Sequence, residues 1–203
     1  SVGLGLLSFW RYQAVLDDNV SHELRTLAAD ASGELKSWFR ERVHELRTLS
    51  TAYTLSDGLS AGTEPKPGAA RVGPRELELY LRSVQGKLGA ILELTLSDAS
   101  GQAVASSAPA PAPVALPATW PNDAITEGVV LGPPRRDDDR GTATLTIAVP
   151  VLSPRNELLG ALTAVLDLAS VQGRLHDPAR ASLAEVVLLA ADGTPLLGTA
   201  STA

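Results

Sequence analysis

TATLTIAVPVLSPRNELLGALTAVLDL, residues 142–168, carries the strongest strand signal in this chain. Two runs rich in Val, Ile, Leu, Thr and Ala, 142–151 and 157–168, flank the turn-forming segment LSPRN. Side chains of this kind favour strands, and a connection this short joins neighbouring antiparallel strands. The sequence therefore predicts a β-hairpin, and with it an antiparallel sheet.

Apolar and mixed positions alternate along the predicted strands, which gives the sheet two different faces. The apolar set is Leu92, Leu94, Leu96, Ala143, Leu145, Ile147, Val149, Leu158, Leu162 and Leu166. The set between them, called the mixed face, is Ile91, Glu93, Thr95, Thr142, Thr144, Thr146, Leu159, Thr163 and Asp167. The apolar face suits packing against a helix. The mixed face suits either bulk water or a ligand cavity that a covering segment closes.

A long amphipathic helix is predicted from about residue 9 to residue 57. Its apolar residues recur at steps of three and four, and no Pro interrupts the pattern. They are Leu16, Val20, Leu24, Leu27, Ala31, Leu35, Trp38, Val43, Leu46, Leu49 and Tyr53. Unbroken, the helix would be roughly 70 Å long. Residues 11–58 are therefore interpreted as a signalling and dimerisation helix.

The opening segment SVGLGLLSFW, residues 1–10, is apolar and is followed by Arg11 and Tyr12. A membrane span needs about 20 apolar residues, and aromatic and basic residues gather at its ends. We expect residues 1–10 to be the tail of such a span. The alternative is the start of an ordinary buried helix.

The rest of the chain predicts short elements joined by turns. Residues 59–74 form a turn-rich linker, 75–88 a second helix, 91–96 and 102–106 two strands, 108–118 an Ala/Pro-rich loop, 120–128 one or two helical turns, 129–132 a short strand, 133–141 a charged turn, 169–175 a short helix and 185–199 a hairpin. The predicted fold class is α+β, with the long N-terminal helix packed on an antiparallel sheet.

Composition and motifs disfavour several function classes. The net charge is −6 with no basic patch, which argues against a nucleic-acid partner, and the chain has no Cys. His22, His44 and His176 lack the spacing of metal ligands, and the DDDRG segment lacks the longer pattern of a calcium loop. No hydrolase, zinc-protease or nucleotide-binding motif occurs. The sequence therefore predicts no catalytic residue, metal or cofactor in this chain.

The hexapeptide HELRTL occurs twice, at residues 22–27 and 44–49. As SHELRT it resembles the phosphate-accepting box of sensor histidine kinases. That box carries Pro five residues after its histidine, where this chain has Leu27 and Leu49. A nucleotide-binding region is also missing from the pattern of the remaining chain. Amphipathic helix is the favoured interpretation, and a kinase fragment remains as a rival.

Four segments together resemble Cache sensor domains of the double-Cache type. They are 32–59, the hairpin 92–107, the hairpin 142–168 with Pro150, Val151, Gly160 and Asp167 in place, and the strand pair 184–199. The resemblance implies a PAS-like fold outside the cytoplasmic membrane, between two membrane spans. Residues 59–183 would then be the membrane-distal module. Residues 184–203 would be the first hairpin of a proximal module, or an extra hairpin.

The resemblance also implies a function, namely binding a small molecule and passing a signal through the N-terminal helix of a homodimer. A sensor histidine kinase of the cell inner membrane is the favoured parent, with a chemoreceptor, a diguanylate cyclase or a ligand-free dimerisation spacer as alternatives. The expected ligand contacts are Glu93, Thr95, Trp120, Asp123, Thr144, Thr146 and Thr163, closed by the lid segment, residues 107–132. An amino-acid ligand is disfavoured, because Val165 stands where amino-acid-binding members carry an acidic residue and the lid lacks their Arg-x-Trp-Tyr motif.

Overall fold

A computed structural model describes residues 3–60, 72–109, 120–138, 140–182, 187–189, 193 and 195–198. The helices are α1 (Gly3–Ser50), α2 (Tyr53–Leu59), α3 (Pro74–Gln85), α4 (Trp120–Glu127) and α5 (Ala169–Ser182). The strands are β1 (Ile91–Asp98), β2 (Ala103–Ser106), β3 (Val130–Leu131), β4 (Arg135–Asp137), β5 (Thr142–Leu152), β6 (Leu158–Asp167), β7 (Val187–Leu189) and β8 (Pro195–Gly198).

The main sheet is antiparallel and has the order β2-β1-β6-β5-β3, with β4 also paired to β5. The hairpin that the sequence predicted, β5 and β6, lies at its centre. A second, two-stranded sheet consists of β7 and β8. The helix and sheet arrangement confirms the predicted α+β fold class.

Helix α1 packs on the apolar face of the sheet. Trp38, Val43 and Leu46 of α1 belong to one buried core with Ile147 and Leu162 of the central hairpin. Fully burying an apolar side chain of this size contributes about 1.5–3 kcal/mol. This core holds α1 against the sheet over its C-terminal half.

The predicted helix 9–57 is divided in the structure. Helix α1 ends at Ser50, and Ala52 has an extended backbone (φ −64°, ψ 128°) before α2 begins. The hydroxyls of Ser50 and Thr51 donate to carbonyls of the preceding turn, at 2.9 and 2.7 Å. Such side-chain bonds compete with helix continuation. As a result Tyr53, predicted on the apolar stripe, is 75% exposed.

The N-terminal part of α1 differs from the rest of the helix. Leu24 is 53% exposed, although it was predicted on the apolar stripe, and Leu27 is the first described residue of α1 that is buried. The side chains of residues 1–10, the predicted membrane tail, lie outside the described part. Among the described residues, no helix has the length and apolar character of a membrane span.

Two β-bulges change the predicted faces of the sheet. The register between β1 and β6 shifts between Ile91 and Glu93, and Ile91 therefore joins the helix-side core. The β5–β6 register shifts between Val151 and Leu152, and Leu158 packs on the opposite face from the one predicted. A bulge adds one residue to one strand and reverses the direction of the side chains that precede or follow it.

Two further segments depart from the expected elements. The charged segment 133–141 was expected to be a turn, and it contains β4, which pairs with β5. Helix α5 was expected to end near residue 175, and it continues to Ser182. Within the predicted final hairpin, residues 184–186 and 190–192 lie outside the described part.

Candidate ligand-binding site

The register of the sheet brings the mixed-face residues into adjacent positions. Thr95 on β1 pairs with Ser106 on β2 and with Thr163 on β6, and Thr163 pairs with Ala148 on β5. One row of side chains therefore crosses four strands on the same face. The next row contains Glu93, Val165 and Thr146.

Glu93 is the centre of a buried polar cluster. The residue is 1% exposed, and its Oε1 accepts hydrogen bonds from the hydroxyls of Thr95 (3.3 Å) and Ser106 (3.4 Å). The hydroxyl oxygens of Thr95 and Ser106 lie 3.2 Å apart, within hydrogen-bond distance of each other. A buried carboxylate is costly unless it is paired and hydrogen-bonded, and these hydroxyls meet part of that need.

Arg140 provides the counter-charge. Its guanidinium lies 3.4 Å from Glu93 Oε2 and 2.9 Å from Asp137 Oδ2, with 37% of the Arg140 side chain exposed. The hydrogen bond to Asp137 raises the pKa of Arg140 above its ordinary value, and the charge of Glu93 raises that pKa further. Arg140 is therefore a fixed cation at the solvent-facing edge of the cluster.

Thr163 carries a buried hydroxyl that no described group satisfies. The residue is 2% exposed, and its Oγ1 has no hydrogen-bond partner within the described part of the chain. Ser97, 0% exposed, has an unpaired Oγ on the adjacent strand. Buried polar atoms in folded proteins are nearly always paired. Ser97 and Thr163 therefore leave two hydroxyls beside the Glu93 cluster for a water or a polar ligand group to pair with.

Helix α4 covers another part of the mixed face. Trp120 and Ala124 of α4 form an apolar cluster with Val130, Ala148 and Ala161. The α4 part of the lid segment thus lies over the sheet on the side opposite α1. Residues 110–119 of that segment lie outside the described part.

The remaining expected contacts are distributed over β5 and α4. Thr146 is partly buried and stands opposite Val165. Thr144 is 9% exposed, and its hydroxyl donates to the Arg135 carbonyl at 3.5 Å. Asp123 is partly buried on α4, next to Ala124. The structure therefore places Glu93, Thr95 and Thr163 together, with Thr146 beside them and Thr144 further along the strand.

Sequence reasoning missed three members of the cluster. Ser106 is the cross-strand partner of Thr95, and paired side chains point to the same face of a sheet. Aligning the two predicted strands in this register would have identified it. Arg140 and Asp137 were assigned to a solvated turn, and the available signal was a lone Arg directly after three consecutive acidic residues. Glu93, Thr95 and Thr163 are buried, whereas Thr142, Thr146 and Asp167 on the same face are partly exposed.

A separate apolar groove lies on the other side of the sheet. Its volume is about 540 Å³, and it runs between α1, β3 and the β7–β8 hairpin. Its walls are apolar side chains such as Phe39, Leu145 and Leu189, with Lys36 and Arg40 as its charged residues. The groove is an apolar cavity, whereas the buried polar cluster lies on the mixed face. Specific sites need a few placed polar groups, and the mixed face carries more of them than the groove does.

No protein-family model and no curated protein matches this sequence. Solved structures do match in fold. The sensor domain of the Vibrio cholerae histidine kinase DctB aligns with a TM-score of 0.55 at 19% identity, over 80% of this chain and 60% of that domain. The ligand-binding domain of the Pseudomonas aeruginosa chemoreceptor PctC, in complex with GABA, aligns at 0.53 and 20% identity, over 84% of this chain and 70% of that one.

A third match is the ligand-binding domain of the Campylobacter jejuni chemoreceptor Tlp3, in complex with L-valine. Its TM-score is 0.56 at 10% identity, over 92% of this chain and 73% of that one. The chain has the PAS-like fold of Cache-type sensor domains. All three solved structures are sensor or ligand-binding domains. The double-Cache arrangement stays a prediction.

Proposed function

We propose that this chain is the ligand-sensing domain of a membrane-bound signalling protein. The observation that carries the proposal is the buried polar cluster around Glu93, beside the unpaired hydroxyl of Thr163, on the face that α4 covers. A site of this kind combines apolar walls with a few directed polar groups. The fold, which Cache-type sensor domains share, supports the same proposal.

The ligand is a small polar molecule. The cluster offers a carboxylate, a guanidinium and several hydroxyls, so it can bind donors and acceptors. Val165 replaces the acidic residue that amino-acid-binding Cache members carry, yet Glu93 stands directly opposite it on the neighbouring strand. A carboxylate is therefore present one strand away from the expected position. Amines and carboxylates are accordingly the two ligand classes to compare first.

The parent protein that we favour is a sensor histidine kinase of the inner membrane, with this domain outside the cytoplasm and paired as a homodimer. The likeness to DctB supports a kinase, while PctC and Tlp3 are chemoreceptors with the same fold. Phosphotransfer from ATP in the full-length parent distinguishes these outputs. Phosphate on His22 or His44 would instead support the rival interpretation of a kinase fragment.

A ligand-free dimerisation spacer is the second candidate. It is favoured by the length of α1, 48 residues, and by the 53% exposure of Leu24 near the middle of that helix. An exposed apolar side chain on a long helix suits contact with a second helix. In this case the buried cluster would serve stability alone.

A thermal-shift screen separates the two candidates. The panel contains small carboxylates, amino acids, amines and nucleobases, because a compound that binds the folded state raises the melting temperature. Variants in which Thr144 and Thr146 are changed to Val test the wall of the site, and Thr26→Val, on the exposed surface of α1, is the control. A flat panel with well-folded protein would favour the spacer. Unchanged affinity in the Thr144 and Thr146 variants would remove those residues from the site.

A further inference from the structure

Arg47 on α1 is bonded to the end of the lid helix. Its Nε donates to the Gly128 carbonyl at 3.2 Å, and a terminal guanidinium nitrogen donates to the Glu127 carbonyl at 3.1 Å. These two carbonyls stand at the C-terminus of α4. The partners are about 80 residues apart in the sequence.

The bonds connect the two faces of the sheet. Helix α1 packs on one face through residues such as Leu46, and α4 packs on the other through Trp120. The chain after α4 passes along the sheet edge, because Val129 packs on the α1 side and Val130 on the α4 side. Arg47 therefore reaches the lid helix at the β3 edge of the sheet.

The chemistry of the helix end fits a guanidinium. Gly128 has a left-handed backbone (φ 69°), and its N–H donates to the Ala124 carbonyl at 2.9 Å. This closes α4 and leaves the last carbonyls without partners within the helix. The C-terminal end of a helix also carries partial negative charge, which a cation stabilises. The planar fork of Arg can bond two neighbouring carbonyls at once, and the ammonium of Lys cannot do so with the same geometry.

We propose that Arg47 is a positioning residue that fixes the lid helix to the signalling helix, so that displacement of α4 by a ligand is passed to α1. The naming of α4 as a lid rests on the proposed ligand-sensing function. The mechanical link itself exists without ligand. A link through hydrogen bonds at one rigid contact can bias a two-state element.

The repeated hexapeptide supplies a matched control. Arg47 is the arginine of the second HELRTL copy, and Arg25 occupies the same place in the first. In both copies the Thr hydroxyl donates to the His carbonyl at 3.0 Å, so the local helix is alike. Arg25 is exposed and has no hydrogen bond or ion pair within the described part of the chain. Arg25 and Arg47 thus have identical neighbours in sequence, and of the two only Arg47 is hydrogen-bonded within the described part of the chain.

The test is hydrogen–deuterium exchange of the ligand-free protein. In Arg47→Gln, we expect the amides of residues 122–128 to exchange about tenfold faster, since two charge-assisted bonds to the helix end are lost. Arg47→Lys should give an intermediate rate, and Arg25→Gln the wild-type rate. Exchange in β5 and β6 should not change. Equal α4 exchange in the Arg47→Gln and Arg25→Gln variants would overturn the proposal.

A second measurement tests whether Arg47 holds α4 and α1 at a fixed distance, and it also uses no ligand. Because the chain has no Cys, nitroxide labels can be placed through Ile125→Cys on α4 and Ser37→Cys on α1, both exposed positions. We expect a narrow distance distribution in the wild-type background and in Arg25→Gln, and a broad one in Arg47→Gln. A narrow distribution in all three would contradict the link. A flat ligand screen would remove the proposed function and leave these results intact.

Discussion

Replacing Thr163 by Val tests whether its buried hydroxyl binds a ligand. The hydroxyl has no partner within the described residues, and the side chain is almost fully buried. An unpaired buried hydroxyl costs about 1–3 kcal/mol in mutational data. Val removes that cost, keeps the β-branched shape and favours strands. After allowance for imperfect packing, we expect Thr163→Val to raise the free energy of unfolding by about 1 kcal/mol.

Thr95→Val is the control with the opposite sign. Thr95 lies beside Thr163 on the neighbouring strand, and its hydroxyl bonds to Glu93 and Ser106. Its removal leaves the buried Glu93 carboxylate with fewer donors, and we expect a loss of about 1–3 kcal/mol. The two substitutions delete the same atom from neighbouring positions. They should therefore shift stability in opposite directions.

Urea denaturation of the ligand-free protein is the assay, with the slope m compared among the three proteins. A compound found by the thermal-shift screen should bind Thr163→Val about 2–10-fold more weakly, the effect of one lost hydrogen bond. Stability and binding would then change in opposite directions, as expected for a group that is kept for function. If Thr163→Val destabilised the protein as much as Thr95→Val does, the hydroxyl would be a structural partner and the reasoning would be wrong.

Three further predictions concern the sheet, the ion pair and the first hairpin. Gly160→Ala should destabilise the protein by about 3 kcal/mol or more in urea, because its Cβ would overlap the Ser97 carbonyl oxygen; a change below about 1 kcal/mol would refute this close approach. Arg140→Met should lower the free energy of unfolding by about 1–3 kcal/mol. This is less than the loss of a fully buried ion pair, because the Arg140 side chain is 37% exposed. Adding Glu93→Gln to that variant should recover part of the lost stability. The hydrogen bond from the Ser100 hydroxyl lowers the pKa of Asp98. The contribution of the Asp98 carboxylate to the free energy of unfolding should therefore be present above about pH 4 and be lost as pH falls through the lowered pKa. An Asp98→Ala variant whose stability has the wild-type pH profile would contradict this.

The sequence was sufficient to predict the central hairpin. Its period-two alternation and short connection were both strong local signals, and β5 and β6 formed within one or two residues of the predicted bounds. The bulges near Ile91 and Leu158 were not predictable in this way. A bulge depends on how two strands pair over their whole length, and the alternation in a single strand contains no record of it.

The candidate site was predictable where it follows strand alternation and not where it depends on tertiary contact. Glu93, Thr95 and Thr163 were found because each sits at a mixed position of a strand. Arg140 was missed because a charged turn is usually solvated, and only the fold brings its guanidinium to Glu93. The bond between Arg47 and α4 was likewise invisible, since both copies of HELRTL have the same sequence and only one contacts the lid helix.

An amide-exchange footprint shows which face of the sheet the ligand contacts. The wild-type protein is labelled with and without the compound that gives the largest rise in the thermal-shift panel. A ligand on the mixed face should slow exchange in β1, β6 and α4, the elements that carry the Glu93 cluster and its cover. Protection confined to α1 and the β7–β8 hairpin, around the apolar groove, would contradict it.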